Sequence, residues 1–364
     1  QNNEANNGGG ISLISSSPTL SNVTISGNTA SAGDGGGLRC ISSSSTDPSS
    51  DPSLMNVTIT NNTSNGSGGG IYAENSPFTL DNVTVSNNIS TDGTVVVMSN
   101  DGSDKHVRIY NSTISDNTTS GGSAAGIHIF AIDSVTIVST EILGNSGGST
   151  GGLETNQVIY FNMSNSLVAE NTGEYYGGVS FLASAQNYFT DLPVQITNCT
   201  ITDNSYTDTN WSEGQSAGLM VERWAFASIL NSIITSEQSP AVTVGNHDTD
   251  GSAELTIGYS LISDGQDSID VYEDGTLIWG DGNINVDPMF ADTANDDYNL
   301  TVDSRLIDAG HPDSTDADGT RADIGAYYYN QTGQPTRVTD LISTPSASNI
   351  ELAWSANTAA STYN

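Results

Sequence analysis

Asn22-Val23-Thr24-Ile25-Ser26-Gly27-Asn28 is the stretch that decides the fold, because it keeps returning. Copies start at Asn22, Asn56, Asn82, Asn111, Ser139, Asn165, Asn198, Asn231 and Tyr259, at spacings of 34, 26, 29, 28, 26, 33, 33 and 28 residues. Each carries an aliphatic residue three places on: Ile25, Ile59, Val85, Ile114, Ile142, Val168, Ile201, Ile234 and Ile262. Six places on stands a second asparagine: Asn28, Asn62, Asn88, Asn117, Asn145, Asn171 and Asn204. Ahead of most copies lies a glycine-led aliphatic step, as in Gly8-Gly9-Gly10-Ile11, Gly68-Gly69-Gly70-Ile71 and Gly177-Gly178-Val179.

A period of this length is that of a solenoid. Val23-Thr24-Ile25-Ser26 alternates apolar and polar residues, as a strand with one buried face does. Short strands joined by Gly and Asn turns make one coil of a right-handed parallel β-helix. Asparagine tolerates the left-handed turn conformation. The constant offset therefore predicts an internal ladder of stacked amides from Asn28 to Asn204, bonded coil to coil as in other stacked sheets.

Charge narrows the function classes. Seven basic residues face 42 acidic ones in 364, for a formal net charge of −35. Binding to nucleic-acid phosphate needs the opposite balance, and so does an anionic membrane surface. No apolar run is long enough to span a bilayer. The expected setting is extracellular or at the cell surface. Cys40 and Cys199 both fall on inward positions, about five coils or ~24 Å apart at the spacing of stacked strands. A disulfide needs Cα atoms within about 7 Å, so two buried free thiols are expected.

Coils are expected over residues 1–290. Spacing stretches near 42–52, 185–192 and 206–213, which predicts surface loops. The register then changes. Asn283-Ile284-Asn285-Val286-Asp287-Pro288-Met289-Phe290 leads to Asp297-Tyr298-Asn299-Leu300, Ser304-Arg305-Leu306-Ile307-Asp308-Ala309-Gly310 and Asp318-Gly319-Thr320-Arg321-Ala322-Asp323-Ile324-Gly325-Ala326-Tyr327. A solenoid must cover its last coil, and residues 283–330 are expected to form that cap. These four pieces resemble the C-terminal part of secreted β-helix surface proteins named for a choice-of-anchor Q domain. The glycine-led asparagine repeats are similar to those of polymorphic outer-membrane proteins. The resemblance implies secretion and a β-helix fold, and no particular activity. Residues 331–364 hold a polar linker and two alternating segments, around Val338 and around Ile350 to Trp354, that resemble the first strands of a fibronectin type III domain. Such a domain needs about 100 residues, so the chain is expected to be part of a longer protein.

Candidate sites are few. Asp313, Asp316 and Asp318 alternate along a glycine-containing loop, a pattern that suits a hard cation such as calcium; no other cofactor is expected. Tyr175, Tyr176, Tyr188, Phe189 and Trp211 lie on or near loops and are candidates for carbohydrate contact. The positions after the glycine steps, Ser12, Arg39, Tyr72, His128, Glu154, Ser180 and Met220, are expected to form a mixed, solvated row. No catalytic set is apparent: the basic candidates on the coils are Arg39, Lys105, Arg108 and Arg223, Arg39 points outward with no acidic pair at matching positions one coil away, and His106, His128, His247 and His311 lack metal spacing. The expectation is a non-enzymatic structural or adhesive rod, self-associating head to tail into fibres or meeting polysaccharide and cell-surface partners. The alternative is a polysaccharide-binding or polysaccharide-degrading, lyase-like protein.

Overall fold

The structure is a computed structural model and describes residues 1–42, 51–99, 105–182, 192–208, 214–245, 252–332, 342–345 and 350–353. Each repeat forms one coil. That beginning at Ile71 runs through strands Ile71–Glu74, Phe78–Asp81, Thr84–Ser86 and Ile89–Asp92. Equivalent strands pair in parallel with the coils above and below, Ile71 with Leu38 on one side and Val95 on the other. Stacking yields two ten-stranded sheets, one of nine and one of five. We call them the glycine-led sheet (from Ile11–Ile14), the middle sheet (from Thr19–Ser21), the asparagine-led sheet (from Thr24–Ser26) and the short sheet (Glu4–Ala5 to Thr118–Gly121). The architecture is an all-β parallel β-helix.

The turn chemistry follows the repeat. All nine first positions, Asn22 to Tyr259, are left-handed, with φ between 47° and 56°. So are the residues just before the second asparagine: Gly27, Asn61, Asn87, Asp116, Gly144, Glu170 and Asp203. Two left-handed residues per motif aim the second asparagine inward, where all seven are buried.

There they form a continuous ladder. Each Nδ2 donates to the Oδ1 of the next asparagine, at 2.8 Å from Asn28 to Asn62, 3.0 Å to Asn88, 3.1 Å to Asn117, 2.9 Å to Asn145, 2.9 Å to Asn171 and 3.0 Å to Asn204. The backbone N–H of each donates to the same oxygen. From Asn62 onward the second amide hydrogen reaches a backbone carbonyl of the coil before, as from Asn88 to Ile59. The glycine steps make room for this. A Cβ on Gly152 would stand 2.4 Å from the carbonyl oxygen of Gly178 and 3.3 Å from Nδ2 of Asn171. Glycine and asparagine are thus two halves of one packing solution.

Apolar columns fill the rest of the interior, with Ile59, Val85, Ile114, Ile142, Val168 and Ile201 under the asparagine-led sheet. A second polar column runs beside them. Ser232 and Ser260 accept backbone N–H bonds, from Cys199 and Ser232 respectively, and donate two residues back. Cys199 occupies a rung of this column, its thiol on the Thr197 carbonyl. Both cysteines are buried and free, and burial pushes each thiol up to about 12.

The C-terminal segment corrects the sequence reading. Residues 283–330 do not simply close the last coil. A bridge from Leu261 to Ile284 ends the winding. The chain then makes an antiparallel pair, Phe290–Asp292 with Asp297–Leu300, and runs back along the side of the rod. Leu300, Leu306, Ile307 and Ile324 pack on Ile233 and Leu261, and Tyr298 packs on Leu167 and Ala169. Near its end Tyr327 reaches Glu141. The segment is therefore a strap over the outer face of the asparagine-led sheet. In the region expected to start a fibronectin domain, Ile342–Pro345 and Ile350–Ala353 form an antiparallel pair; Val338 and Trp354 lie outside the described residues.

Candidate functional site

Two tyrosines pin the strap. Tyr298 is 1% exposed, and its hydroxyl donates to Glu170 Oε1 at 2.9 Å and Asp203 Oδ2 at 3.2 Å. Glu170 and Asp203 hold equivalent left-handed turn positions in adjacent coils, which is why one hydroxyl meets both. The hydroxyl of Tyr327 donates to Glu141 Oε1 at 2.6 Å. Burial, followed by the carboxylate each one faces, drives both phenols far above their ordinary range, so both remain donors. Burial also raises Glu170.

Between strap and coils lies a cleft of about 690 Å³. Its coil wall includes Glu141, Asn165 and Asn198; its strap wall includes Asn299, Asp316, Tyr327 and Tyr328. The wall is rich in amides and hydroxyls and, among the described residues, contains no Lys, Arg or His. Tyr328 is 41% exposed. Asn198 donates to Asn165 Oδ1 at 3.3 Å, while its own Oδ1 is buried without a hydrogen-bond partner.

The aspartate loop closes on the strap itself. Asp316 Oδ2 accepts the N–H of Asp323, and Asp318 accepts from Thr320 through one oxygen and from the Gln331 N–H through the other. Asp313 is exposed, its N–H on His311. Among the described residues no three His, Cys, Asp or Glu side chains stand together so as to hold a metal ion. Asp323 is 2% exposed and accepts the N–H groups of Asp308 and Tyr329. Burial pushes its carboxyl up to about 7 against these hydrogen bonds, with Asp316 and Asp308 adding to the rise.

The row expected to be solvated is instead mostly closed. Tyr72, His128, Glu154, Ser180 and Met220 are all buried, and only Ser12 and Arg39 at the N-terminal end stay more open. The turn ahead of Leu153–Asn156 folds up beside that strand. Ser149 and Thr150 donate to Glu154 Oε2 at 2.6 and 3.0 Å, and Thr150 also meets Ser180. His128 Nε2 stands 3.9 Å from Glu154. Of the candidate sugar contacts, Tyr176 is buried and packs edge-on against the half-buried Tyr175, with ring centres 6.4 Å apart. Tyr188, Phe189 and Trp211 lie outside the described residues.

Sequence reasoning missed both strap and cleft, yet a signal existed. Outward positions of the asparagine-led sheet are Thr or Ser from Thr24 to Ser115. They turn to Leu143, Leu167, Ala169, Ile233 and Leu261 in the later coils. Outward apolar residues on four of the five later coils, interrupted only by Thr200 and Thr202, mark a covered face.

A family model described as the right-handed β-helix region matches residues 46–256. No curated protein matches the sequence. The matched span covers more than half of the chain and falls on the coils whose parallel register, glycine steps and amide ladder are described above, and the chain belongs to the right-handed β-helix family.

Proposed function

We propose that the protein is an extracellular, non-enzymatic rod with a structural or adhesive role. The observation that carries this reading is the closure of the glycine-led face: Tyr72, His128, Glu154, Ser180 and Met220 are all buried. A polymer-cleaving site needs a base and carboxylates facing an open groove. Rigidity supports the same reading, since four sheets and a buried amide ladder run coil to coil. The strong negative charge favours a soluble chain that keeps clear of anionic surfaces.

The test is incubation of the purified protein with a panel of cell-wall and extracellular polysaccharides, following both retention on the polymer and polymer length. Retention with unchanged length is expected. Shortening of any polymer by the wild-type protein overturns the reading. A polysaccharide-binding version of the same role is favoured by the amide-lined cleft.

A further inference from the structure

We propose that the cleft between strap and coils is a binding site for a neutral oligosaccharide and discriminates against acidic ones. The inference rests on the adhesive, polysaccharide-binding reading above and gives it a location and a ligand class.

The cleft's size lies within the range of about 300–1,000 Å³ in which proteins hold small ligands. Its chemistry is that of sugar recognition. A sugar presents hydroxyls that both donate and accept, around a ring with a weakly polar C–H face. Planar amides meet such hydroxyls with two donors and an acceptor each. Asn165, Asn198 and Asn299 supply three of them, from both walls. Asn198 Oδ1 is a buried acceptor with nothing to accept from. An unsatisfied buried acceptor carries a standing cost, which a ligand hydroxyl removes once the Asn198 amide turns to face the cleft. The exposed ring of Tyr328 offers an apolar, amphipathic face for the C–H side of the ring. Tyr328 directly follows Ala326 and Tyr327, which fasten the strap through bonds to Thr200 and Glu141, so the ring is presented from a fixed backbone.

Charge sets the class. Among the described residues two that bear carboxyls, Glu141 and Asp316, line the cleft, and no cationic side chain does. A uronate or sulfated sugar would bring further negative charge to this wall, on a chain of net charge −35. Like charges at such distances repel, and the repulsion weakens with salt.

Calorimetric titration of the whole chain tests this, with neutral hexose oligomers and uronic-acid oligomers of matched length as probes. Neutral oligomers are expected to bind, uronate oligomers more weakly, with the gap narrowing in high salt. Tyr328→Ala and Asn299→Ala are the chosen variants because both side chains are exposed and peripheral to the strap's packing. Each should weaken neutral-oligomer binding by roughly tenfold with an unchanged melting curve. Equal or tighter binding of uronates overturns the proposal. So does absence of neutral binding, or neutral binding that both variants leave intact. In that last case the protein still holds sugar elsewhere, and the adhesive reading survives without this site.

Discussion

The asparagine-led sheet has one architecture and two outer faces. Over its first four coils the outward residues are Thr24 and Ser26, Thr58 and Thr60, Thr84 and Ser86, Thr113 and Ser115, all at least partly open to solvent. Over the later coils Leu167, Ala169, Thr200, Thr202, Ile233 and Leu261 are buried. The inner face hardly changes: Ile59, Ile114, Val168 and Ile234 are equally buried throughout. A β-helix coil therefore needs only its inner pattern to wind. The outer pattern is free to be used for something else, and here it recruits the strap.

The largest effect should be blind to this difference. Asn117→Ala in the bare region and Asn171→Ala under the strap each strand the neighbouring N–H and carbonyl groups. Each should lower stability by roughly 1–3 kcal/mol. Chemical denaturation of both variants checks it; a cost confined to one region would show that the ladder is not a single structure. Next comes Leu167→Thr, which writes the bare-face residue into the covered face. Losing the methyl groups that Leu has beyond Thr should cost about 1.5 kcal/mol. Hydrogen exchange should rise in residues 290–330 while the coils stay protected. Tyr298→Phe, which removes the hydroxyl from Glu170 and Asp203, should loosen the same segment by about 1 kcal/mol, with early coils unaffected.

Acidity offers a gentler probe of the strap alone. Asp323 titrates at about 7 in the fold and near 3.9 in an unfolded chain, so the folded state holds the extra proton between those values. Its contribution is fully present below the unfolded value and is lost as pH rises through 7. Burial raises Asp316 in the same direction. Strap protection should be greater at pH 5 than at pH 8, and Asp323→Asn should flatten the difference. The smallest effect is expected from Thr113→Leu on the bare face. An exposed change of this kind should shift stability within about 0.5 kcal/mol, against the large cost of the reverse change at Leu167.

The coils were legible because their causes are local. A left-handed asparagine, an alternating strand and a glycine step each act within a few residues, and stacking then repeats them. That is why the Asn28 to Asn204 column and the inward cysteines could be read from offsets alone. The strap was not legible in that way. Tyr327 meets Glu141 across 186 positions and Tyr298 meets Glu170 across 128, and no period links such residues. What periodicity does carry is the change from Thr113 and Ser115 to Leu167 and Ala169. The glycine-led row failed for a related reason. Alternation correctly placed His128 and Glu154 outside the barrel of strands, but outside the barrel is not the same as in water. The turn carrying Ser149 and Thr150 rises beside the sheet and bonds Glu154, with His128 beside that carboxylate.

The ladder also bears on how such a chain can change its length. In the amide-to-amide series every rung gives one hydrogen forward and receives from behind, Asn28 taking its bond from Asn3 and passing one to Asn62, while the second amide hydrogen of the later rungs turns back to the preceding coil. Each coil thus presents the same acceptor below and the same donor above. A whole coil duplicated within the gene would find both partners waiting, whereas part of a coil would interrupt the series. Spacings from 26 to 34 residues between copies are tolerated because the seven-residue motif keeps its offset and the surplus falls in the connecting stretches. Length along the axis is in this sense a heritable variable that can be altered in whole units, while the strap and its cleft travel with the last coils.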